Sequence, residues 1–362
     1  MKNHVVDKMP NSTPARKFLS ALVRTKSFSG SEADAAKLCA QRMRELGYLH
    51  VRMDEAGNVL GANYDYVRDV HPDILLFSHL DTVEGFWEVH EDAQGISGRG
   101  AVDAKGCLAS YIEAGAHAPS YLKVVVAGVT EEEAPTSKGA HSLFKWLKPK
   151  MAINGEPSNC EGVTIAYKGR ILAECRTQGE AAHAGMNAEN PIERTIEYYE
   201  KLRSHFPRHH TFDSVIFNVT HIDYGKRESL NVIPAHLDFF IDARVPPSAD
   251  MQKIIQFFKS SAPNGVNVKI TEHFPGCEMQ ISHPLVRAMV AAVRSQGGAP
   301  KYLKKSGGAD MNISMALGIP TIAYGPGDSK LDHTNKEFLH WKDYEFSIGV
   351  LKNLLQNLKP QS

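Results

Sequence analysis

The sequence of 362 residues predicts an α/β fold whose mixed, largely parallel sheet is flanked by helices and interrupted by a smaller insert. Helical and strand-like patterns alternate over roughly the first 160 residues and again after Pro275, as expected for strands joined by crossover helices. From about Val163 the pattern changes to strands with only one buried face. We therefore expect two domains, one formed by residues 1–165 and 275–362 and the other by residues 166–274.

The helices of the first domain are indicated by apolar periodicity and by end signals. Ser31 and Asp34 form a capping-box pattern that opens a helix, and Gly47 follows its end as a C′ residue. The other helices predicted in this domain are Ala15–Arg24, Lys105–His117, Lys138–Leu147, Pro284–Arg294, Met311–Leu317 and Trp341–Leu358.

The strands of the first domain are of two kinds. Near-continuous apolar runs at Asp73–Ser78 and Lys123–Val129 indicate strands that are covered on both faces. Shorter strands are predicted at His50–Met53, Asn58–Asn63, Met151–Asn154 and Thr321–Tyr324.

The insert has the element order β-α-β-β-α-β, which is that of a ferredoxin-like unit. Thr164–Thr177 alternates like a half-exposed strand, and Asn190 with Pro191 opens a helix that extends to about Ser204. The remaining elements are predicted as strands Val215–His221, His236–Arg244 and Val266–His273 and helix Ala249–Lys259.

Composition and charge argue against several classes of protein. Lys and Arg number 41, as do Asp and Glu, so the basic excess typical of nucleic-acid binders is missing. Five scattered cysteines without a CxxC pair favour a reducing compartment. The apolar runs Ile74–Phe77 and Val124–Val129 are far shorter than a membrane span, and the N-terminal stretch lacks the apolar core of a signal peptide. We therefore expect a cytoplasmic protein without nucleic-acid or membrane partners.

Histidine and acidic residues, which are types that commonly bind metals, lie at predicted strand ends or in the loops that follow them. They are His79, Asp81, Asp103, Glu131, Glu132, Glu133, Glu156 and His333. In open α/β sheets ligands bind beyond the carboxyl ends of the strands, so we expect these side chains to converge on one crevice. Imidazoles and carboxylates together suit a divalent metal, with zinc as the leading candidate.

This set is large enough for two metal ions and a general base. Metals about 3.5–4 Å apart are usually bridged by a carboxylate. Two histidines and three carboxylates then give each metal one histidine, one terminal carboxylate and a share of a bridging aspartate. One carboxylate remains as the base, and the adjacent Glu131 and Glu132 are candidates to divide the tasks of base and ligand. Asp81 is expected to accept the ring N–H of His79 and so fix its tautomer.

The ordered motifs HLDTV, GRGAVDAKG, TEEE, NGEP and DHT resemble the M20 metallopeptidase family of deacetylases, desuccinylases, aminoacylases and carboxypeptidases. The resemblance implies two zinc ions, which cobalt can replace in vitro, bound at one site by His79, Asp103 and Glu156 and at the other by Asp103, Glu132 and His333. It also implies that Glu131 is the general base and that the Asp103-Ala104 peptide bond is cis. We expect Glu133 to be a neighbour without a catalytic task.

One branch of the family is most similar to this chain. The segments INGEPSN, IAYKGR, GGADMNIS and IAYGPGDSKLDHT resemble the lysine- and ornithine-releasing hydrolases of lysine and arginine biosynthesis. The resemblance implies a di-zinc amidohydrolase that removes the Nα-acyl group from lysine or ornithine. The acyl group is acetyl or belongs to a small acidic amino-group carrier protein. The alternative within the family is an exopeptidase, a dipeptidase or an aminoacylase with another substrate.

The insert carries further marks of the family, which imply a lid and dimerisation domain. The sequence AHAG places His183 where the family stabilises the transition state from the partner subunit, so we expect a homodimer. Asn231 and Arg244 match positions that bind polar groups of the substrate. Gly307 and Gly308 let backbone N–H groups approach a carboxylate.

Two features leave alternatives open. Ala309 stands where the family pattern has Ser or Thr, which leaves the exact substrate undecided. A basic face for an acidic carrier is one interpretation of Lys301, Lys304 and Lys305, and a simple solvated cluster is the other. A non-catalytic metal-binding module is disfavoured because it would have no use for the spare carboxylate Glu131.

Overall fold

The computed structural model of the chain describes residues 13–208, 211–224 and 230–360. The prediction that the N-terminal stretch is not a signal peptide concerns residues that mostly lie outside this description. The described residues form two units. The first unit comprises the described parts of Met1–Ile165, Met279–Leu303 and Ile313–Ser362, and the second comprises those of Ala166–Glu278 and Lys304–Asn312.

The helices and strands are numbered here in chain order. The helices are α1 Pro14–Arg24, α2 Ala33–Glu45, α3 Lys105–Gly115, α4 Lys138–Trp146, α5 Pro191–His205, α6 Met251–Ser261, α7 Pro284–Ser295, α8 Asp310–Ala316 and α9 Trp341–Asn357. The strands are β1 His50–Met53, β2 Val59–Ala62, β3 Ile74–His79, β4 His90–Glu91, β5 Gly95–Ser97, β6 Val124–Val129, β7 Ala152–Gly155, β8 Gly162–Tyr167, β9 Gly169–Gln178, β10 Ala182–His183, β11 Ile216–Asp223, β12 Val232–Ile233, β13 His236–Val245, β14 Val266–Phe274, β15 Cys277–Glu278, β16 Lys301–Lys305, β17 Thr321–Tyr324 and β18 Phe338–His340.

The central sheet of the first unit is mixed and largely parallel, as the sequence predicts. Its strand order is β1-β2-β6-β3-β7-β17-β8, and the four neighbours β6, β3, β7 and β17 run parallel. All residues of these four strands are buried. The carboxyl ends of the parallel strands therefore meet at one edge of the sheet, which is where the loops with metal-binding side chains begin.

Helices cover both faces of the parallel strands, which explains their continuous apolar runs. Leu143 and Phe144 of α4 pack with Leu75 and Phe77 on one face. On the other face lies α3, all of whose residues are buried. The segment that precedes α3 and carries Asp103 is thereby fixed against the sheet.

The start of α2 differs from the prediction. The helix begins at Ala33, its N-cap is Glu32, and no side-chain cap bond forms, so the capping box of Ser31 and Asp34 is wrong. The carboxylate of Glu32 instead accepts the N–H groups of Gly30 at 2.9 Å and of Glu131 at 3.1 Å. The Glu32 side chain thus binds the loop that carries Glu131 instead of capping its own helix.

The second unit contains a four-stranded antiparallel sheet of order β11-β13-β9-β14. This is the order of a ferredoxin-like β-α-β-β-α-β unit, as predicted, and α5 and α6 pack against it through Tyr198 and Phe258. Residues 275–278 and 304–312 belong to this unit, although the sequence places them in the other domain. Cys277 and Glu278, which were expected in the first domain, form strand pairs with Tyr167 and Ala166, which were expected in the insert.

The predicted strand Thr164–Thr177 is two strands, β8 and β9, separated at Lys168. The Lys168 ammonium group donates to the carbonyl oxygen of Thr211 at 3.3 Å and of Ser214 at 2.7 Å, and its backbone N–H donates to Lys305. The alternation of polar and apolar residues does not indicate such contacts, so the sequence pattern did not show the break at Lys168.

None of the helices in the described part of the chain has the length and apolarity that crossing a bilayer requires.

Candidate metal centre

The loops at the carboxyl edge of the central sheet bring most of the predicted side chains to one place. His79 is the last residue of β3, the acidic run Glu131–Glu133 follows β6 after one residue, and Glu156 directly follows β7. Asp103 lies two residues before α3, and His333 lies in the loop after β17. Since β6, β3, β7 and β17 are neighbours, sheet topology explains why these distant parts of the sequence meet.

The carboxylate of Asp103 lies between two imidazoles. Its Oδ1 is 3.2 Å from Nε2 of His79, and its Oδ2 is 3.2 Å from Nε2 of His333. The Nε2 atom of His333 also lies 2.9 Å from Oε1 of Glu133. Both imidazoles therefore face one carboxylate, and the Asp103-Ala104 peptide bond is cis.

Three donor atoms are close enough together to hold a cation. One ligand atom each from His79, Asp103 and Glu133 lie within 4.8 Å of one another. Imidazole nitrogen and carboxylate oxygen are the ligands of catalytic zinc sites and of related divalent metals, so the residues fit such a group. Glu156 is not one of the three converging residues, but it is buried at the same edge of the sheet.

The two histidines and Asp103 form a strongly coupled charge cluster. Burial opposes a charge on His79, but hydrogen bonds with Asp103 and Asp81 raise its pKa well above the usual value. Hydrogen bonds with Asp103 and Glu133 raise the pKa of His333 to about 10. Burial favours the neutral form of Asp103, yet the two histidines lower its pKa.

Asp81 holds the acidic loop rather than only His79. Its backbone carbonyl oxygen is 2.8 Å from Nδ1 of His79, whereas its carboxylate Oδ1 is 3.6 Å from that atom. The carboxylate accepts the backbone N–H groups of Glu132 at 3.1 Å and of Glu133 at 3.0 Å, and the hydroxyl of Ser29 at 2.7 Å. The Asp81 carbonyl therefore makes the closer contact with the His79 imidazole, and the carboxylate, which lies within ion-pair distance of the same nitrogen, also holds the neighbouring acidic loop.

The register of the acidic run differs by one residue from the expectation. Glu133, which was expected to have no task, contacts His333, and Glu132 was expected there instead. Glu131 has a left-handed φ of 56°, and its carboxylate accepts a hydrogen bond from Lys138 Nζ at 3.0 Å. The negative charge of Glu132 is close enough to His79 to raise its pKa. The chain turns at this left-handed residue, and Glu133 is the member of the acidic run whose carboxylate contacts His333.

His183 and Asn231 lie side by side in the second unit. His183 of β10 is opposite Val232 of β12, and the side-chain nitrogen of Asn231 is 3.5 Å from His183 Nε2. Nδ1 of His183 accepts the N–H of Gly185 at 3.1 Å. Both side chains are exposed, which suits groups that meet a ligand.

Arg244, Gly307 and Gly308 are also in the second unit. Arg244 forms two hydrogen bonds with the carboxylate of Asp242, at 2.7 and 3.2 Å. A Cβ atom on Gly308 would come within 2.6 Å of the Phe274 ring, so the absence of a side chain allows close packing there. Gly307 has open space around it.

Sequence reasoning missed two buried groups beside the centre, Arg99 and Glu337. Arg99 lies in GRGAVDAKG, whereas Glu337 lies outside the quoted motifs. The two side chains pair with each other and with backbone atoms of other loops, and no residue spacing signals such contacts.

The fold and this cluster define a metal-dependent hydrolase with an α/β catalytic domain and a ferredoxin-like insert. Residues 75–357 match the model of Peptidase family M20/M25/M40. The chain belongs to this family, and it is a hydrolase of amide bonds.

Curated relatives match nearly the whole chain. The "[LysW]-lysine hydrolase" of Deinococcus radiodurans is 34% identical over 367 residues, which cover 96% of this chain and 98% of the relative. The "[LysW]-lysine/[LysW]-ornithine hydrolase" of Saccharolobus solfataricus is 33% identical and covers 94% of both chains. The crystal structure of aminopeptidase PepT from Bacillus cereus has a TM-score of 0.80 at 19% identity, covering 96% of this chain and 98% of that chain, and shows the same fold.

Proposed function

We propose that this protein releases lysine or ornithine by hydrolysing the amide bond that joins its α-amine to the carrier protein LysW. The observation that carries the proposal is the near full-length similarity to relatives named for that reaction, at 33–34% identity. The metal-binding cluster at the sheet edge supplies the matching chemistry. N-acetyl-lysine and N-acetyl-ornithine present the same bond with a smaller acyl group and are the competing substrates.

We assign two zinc ions to the centre, with Glu133 in place of Glu132 as a ligand. His79, Asp103 and Glu156 would hold one ion, and Asp103, Glu133 and His333 the other. The assignment of Asp103 as the shared ligand is supported by its two oxygens, each of which faces a different imidazole at 3.2 Å. When bound, such metals polarise an amide carbonyl and lower the pKa of water.

Glu132 is the general base in this proposal. It takes a proton from the attacking water and later delivers that proton to the α-amine as the amide C–N bond breaks. Two observations favour it over Glu131, which was the expectation from the sequence. The carboxylate of Glu131 is engaged by Lys138 at 3.0 Å, whereas Glu132 lies close to His79 and has its backbone held by Asp81.

Residues of the second unit would complete the substrate contacts. His183 from the partner subunit of a homodimer is assigned as a donor to the oxyanion through Nε2, and Asn231 lies beside its imidazole. We assign Arg244, Gly307 and Gly308 to the carboxylate and backbone of the released amino acid. This part of the proposal is supported by motif resemblance and by the His183–Asn231 contact of 3.5 Å.

A turnover panel tests the proposal. The zinc-loaded protein is given LysW-linked lysine, LysW-linked ornithine, the two N-acetyl amino acids and a set of dipeptides, and kcat/KM is measured for each. We expect the carrier-linked substrates to be preferred. Preference for an N-acetyl amino acid would overturn the carrier assignment, and preference for dipeptides would make the chain an exopeptidase.

A further inference from the structure

A buried ion pair lies directly behind the metal centre in the first unit. The side chain of Glu337 is fully buried, and its Oε1 accepts a hydrogen bond from Arg99 Nη1 at 2.7 Å. Its Oε2 accepts three backbone N–H groups, from Gly100 at 3.0 Å, Val102 at 3.1 Å and Asp103 at 3.3 Å. One carboxylate thus binds most of the loop that ends in the residue assigned as the shared metal ligand.

Arg99 extends these contacts to other loops of the same unit. Its Nη1 also donates to the backbone oxygen of Thr334 at 3.2 Å, the residue after His333, and its Nε donates to Gly85 at 2.9 Å. The guanidinium group lies 4.8 Å from the centre of the Trp87 ring. Because Arg donates several hydrogen bonds in a fixed planar geometry, one side chain holds several backbone segments in register.

The loop that leads to Asp103 turns at Gly100. Gly100 has a φ of +84°, and a Cβ atom there would come within 2.8 Å of Thr82 Cγ2. Its N–H is one of three that point to a single oxygen of Glu337, and converging N–H groups favour a full negative charge. Arg99 balances that charge, which would be costly if it were buried alone.

We propose that Arg99 and Glu337 are positioning residues that set the placement of Asp103 relative to His333, and through it the geometry of the metal pair. The inference rests on the proposed function, in which Asp103 is the shared ligand. The physical basis is that Glu337 binds the backbone N–H of Asp103, while Arg99 binds Glu337 and the residue after His333. The pair therefore joins two ligand-bearing loops that are more than 200 residues apart in the sequence.

A purely structural role for the pair is the competing explanation, and the chain offers a matched control. Arg42 of α2 and Glu113 of α3 form a similar pair in the same unit, with hydrogen bonds of 2.7 and 3.1 Å. Their side chains are only 13% and 8% exposed. Both residues lie on helices, and Glu113 is near the end of α3 that is remote from Asp103.

The experiment uses cobalt as a spectroscopic probe. Full-length wild type, Glu337→Gln, Arg99→Lys and Glu113→Gln are stripped of metal and titrated with Co²⁺. The affinity, the stoichiometry and the visible absorption spectrum are recorded, together with the Tm of each metal-free protein. We expect Glu337→Gln and Arg99→Lys to bind Co²⁺ about 10–100-fold more weakly and with an altered spectrum. Glu113→Gln should lower Tm but keep the wild-type affinity and spectrum.

The outcomes separate the two explanations. If both Arg99→Lys and Glu337→Gln lower Tm while binding Co²⁺ with wild-type affinity and spectrum, the pair is structural and the inference is overturned. Arg99→Lys keeps the positive charge and serves as the test if Glu337→Gln does not fold. If wild type itself binds no Co²⁺, the proposed metal centre fails, which is a different result from an unchanged variant.

Discussion

The carboxylate of Glu133 lies 2.9 Å from Nε2 of His333, although the two residues are separated by 200 positions in the sequence. This contact fixes the register of the acidic run that follows β6. It makes Glu133 a metal ligand in the proposed centre and leaves its neighbour Glu132 for proton transfer.

Glu132→Gln is expected to lower kcat by about 10²–10⁴-fold, because it removes the proposed general base. Both metals should remain bound, as measured by mass spectrometry of the metal content. Glu131→Gln is the matched control, one residue away and paired with Lys138, and it should keep most of the activity. The reverse result would return the role of base to Glu131.

Glu133→Gln is expected to release one of the two metal ions, because an amide is a poorer ligand than a carboxylate for zinc. The measurement is the zinc content per chain after dialysis against a weak chelator, with Glu131→Gln as the reference. If Glu133→Gln retains two ions, Glu133 is not a ligand.

Asp81→Asn is expected to lower kcat by about 10–100-fold, since groups that orient ligands typically contribute this much to affinity or activity. The amide still accepts one hydrogen bond but cannot accept both N–H groups of Glu132 and Glu133 as the carboxylate does. Ser29→Ala, which removes only the hydroxyl bond to Asp81, should have a smaller effect. Equal losses in the two variants would contradict a positioning role for the carboxylate.

His183→Ala is expected to lower kcat by about 10²–10³-fold with the metal content unchanged, as for the loss of one oxyanion donor. The matched control is His221→Ala, which changes an exposed histidine of β11 in the same unit. A wild-type kcat in His183→Ala would remove this residue from the proposed mechanism.

Chelation is expected to abolish activity and lower Tm, and added Zn²⁺ or Co²⁺ should restore both. The metal stabilises the fold by mass action, since a ligand that binds only the folded state and is present at about 100 times its Kd adds roughly 2.7 kcal/mol to the free energy of unfolding. Thermal scans of the stripped and reloaded protein measure it. Activity that survives complete removal of metal would refute the metal-dependent mechanism.

Much of the fold could be predicted because its signals are local. The buried strands around Leu75 and Val126 are apolar runs of the expected length, and Asn190 with Pro191 marks the start of α5, where the Asn190 side chain caps the helix. Where a local signal competed with a tertiary contact, prediction failed. The capping box at Ser31 does not form, because Glu32 occupies the N-cap position without a side-chain cap bond and its carboxylate accepts the N–H groups of Gly30 and Glu131.

The sequence by itself determined the fold class, the family and the residue types available at the sheet edge, because periodicity and motif order are properties of the linear chain. Only the tertiary structure decided which of three adjacent glutamates contacts His333, and that Arg99 and Glu337 lie behind Asp103. Adjacent carboxylates are chemically identical, so their tasks depend on a backbone turn at Glu131 and on where Asp81 holds the loop. The contacts that fix these tasks join residues distant in sequence, and residue spacing along the chain does not predict them.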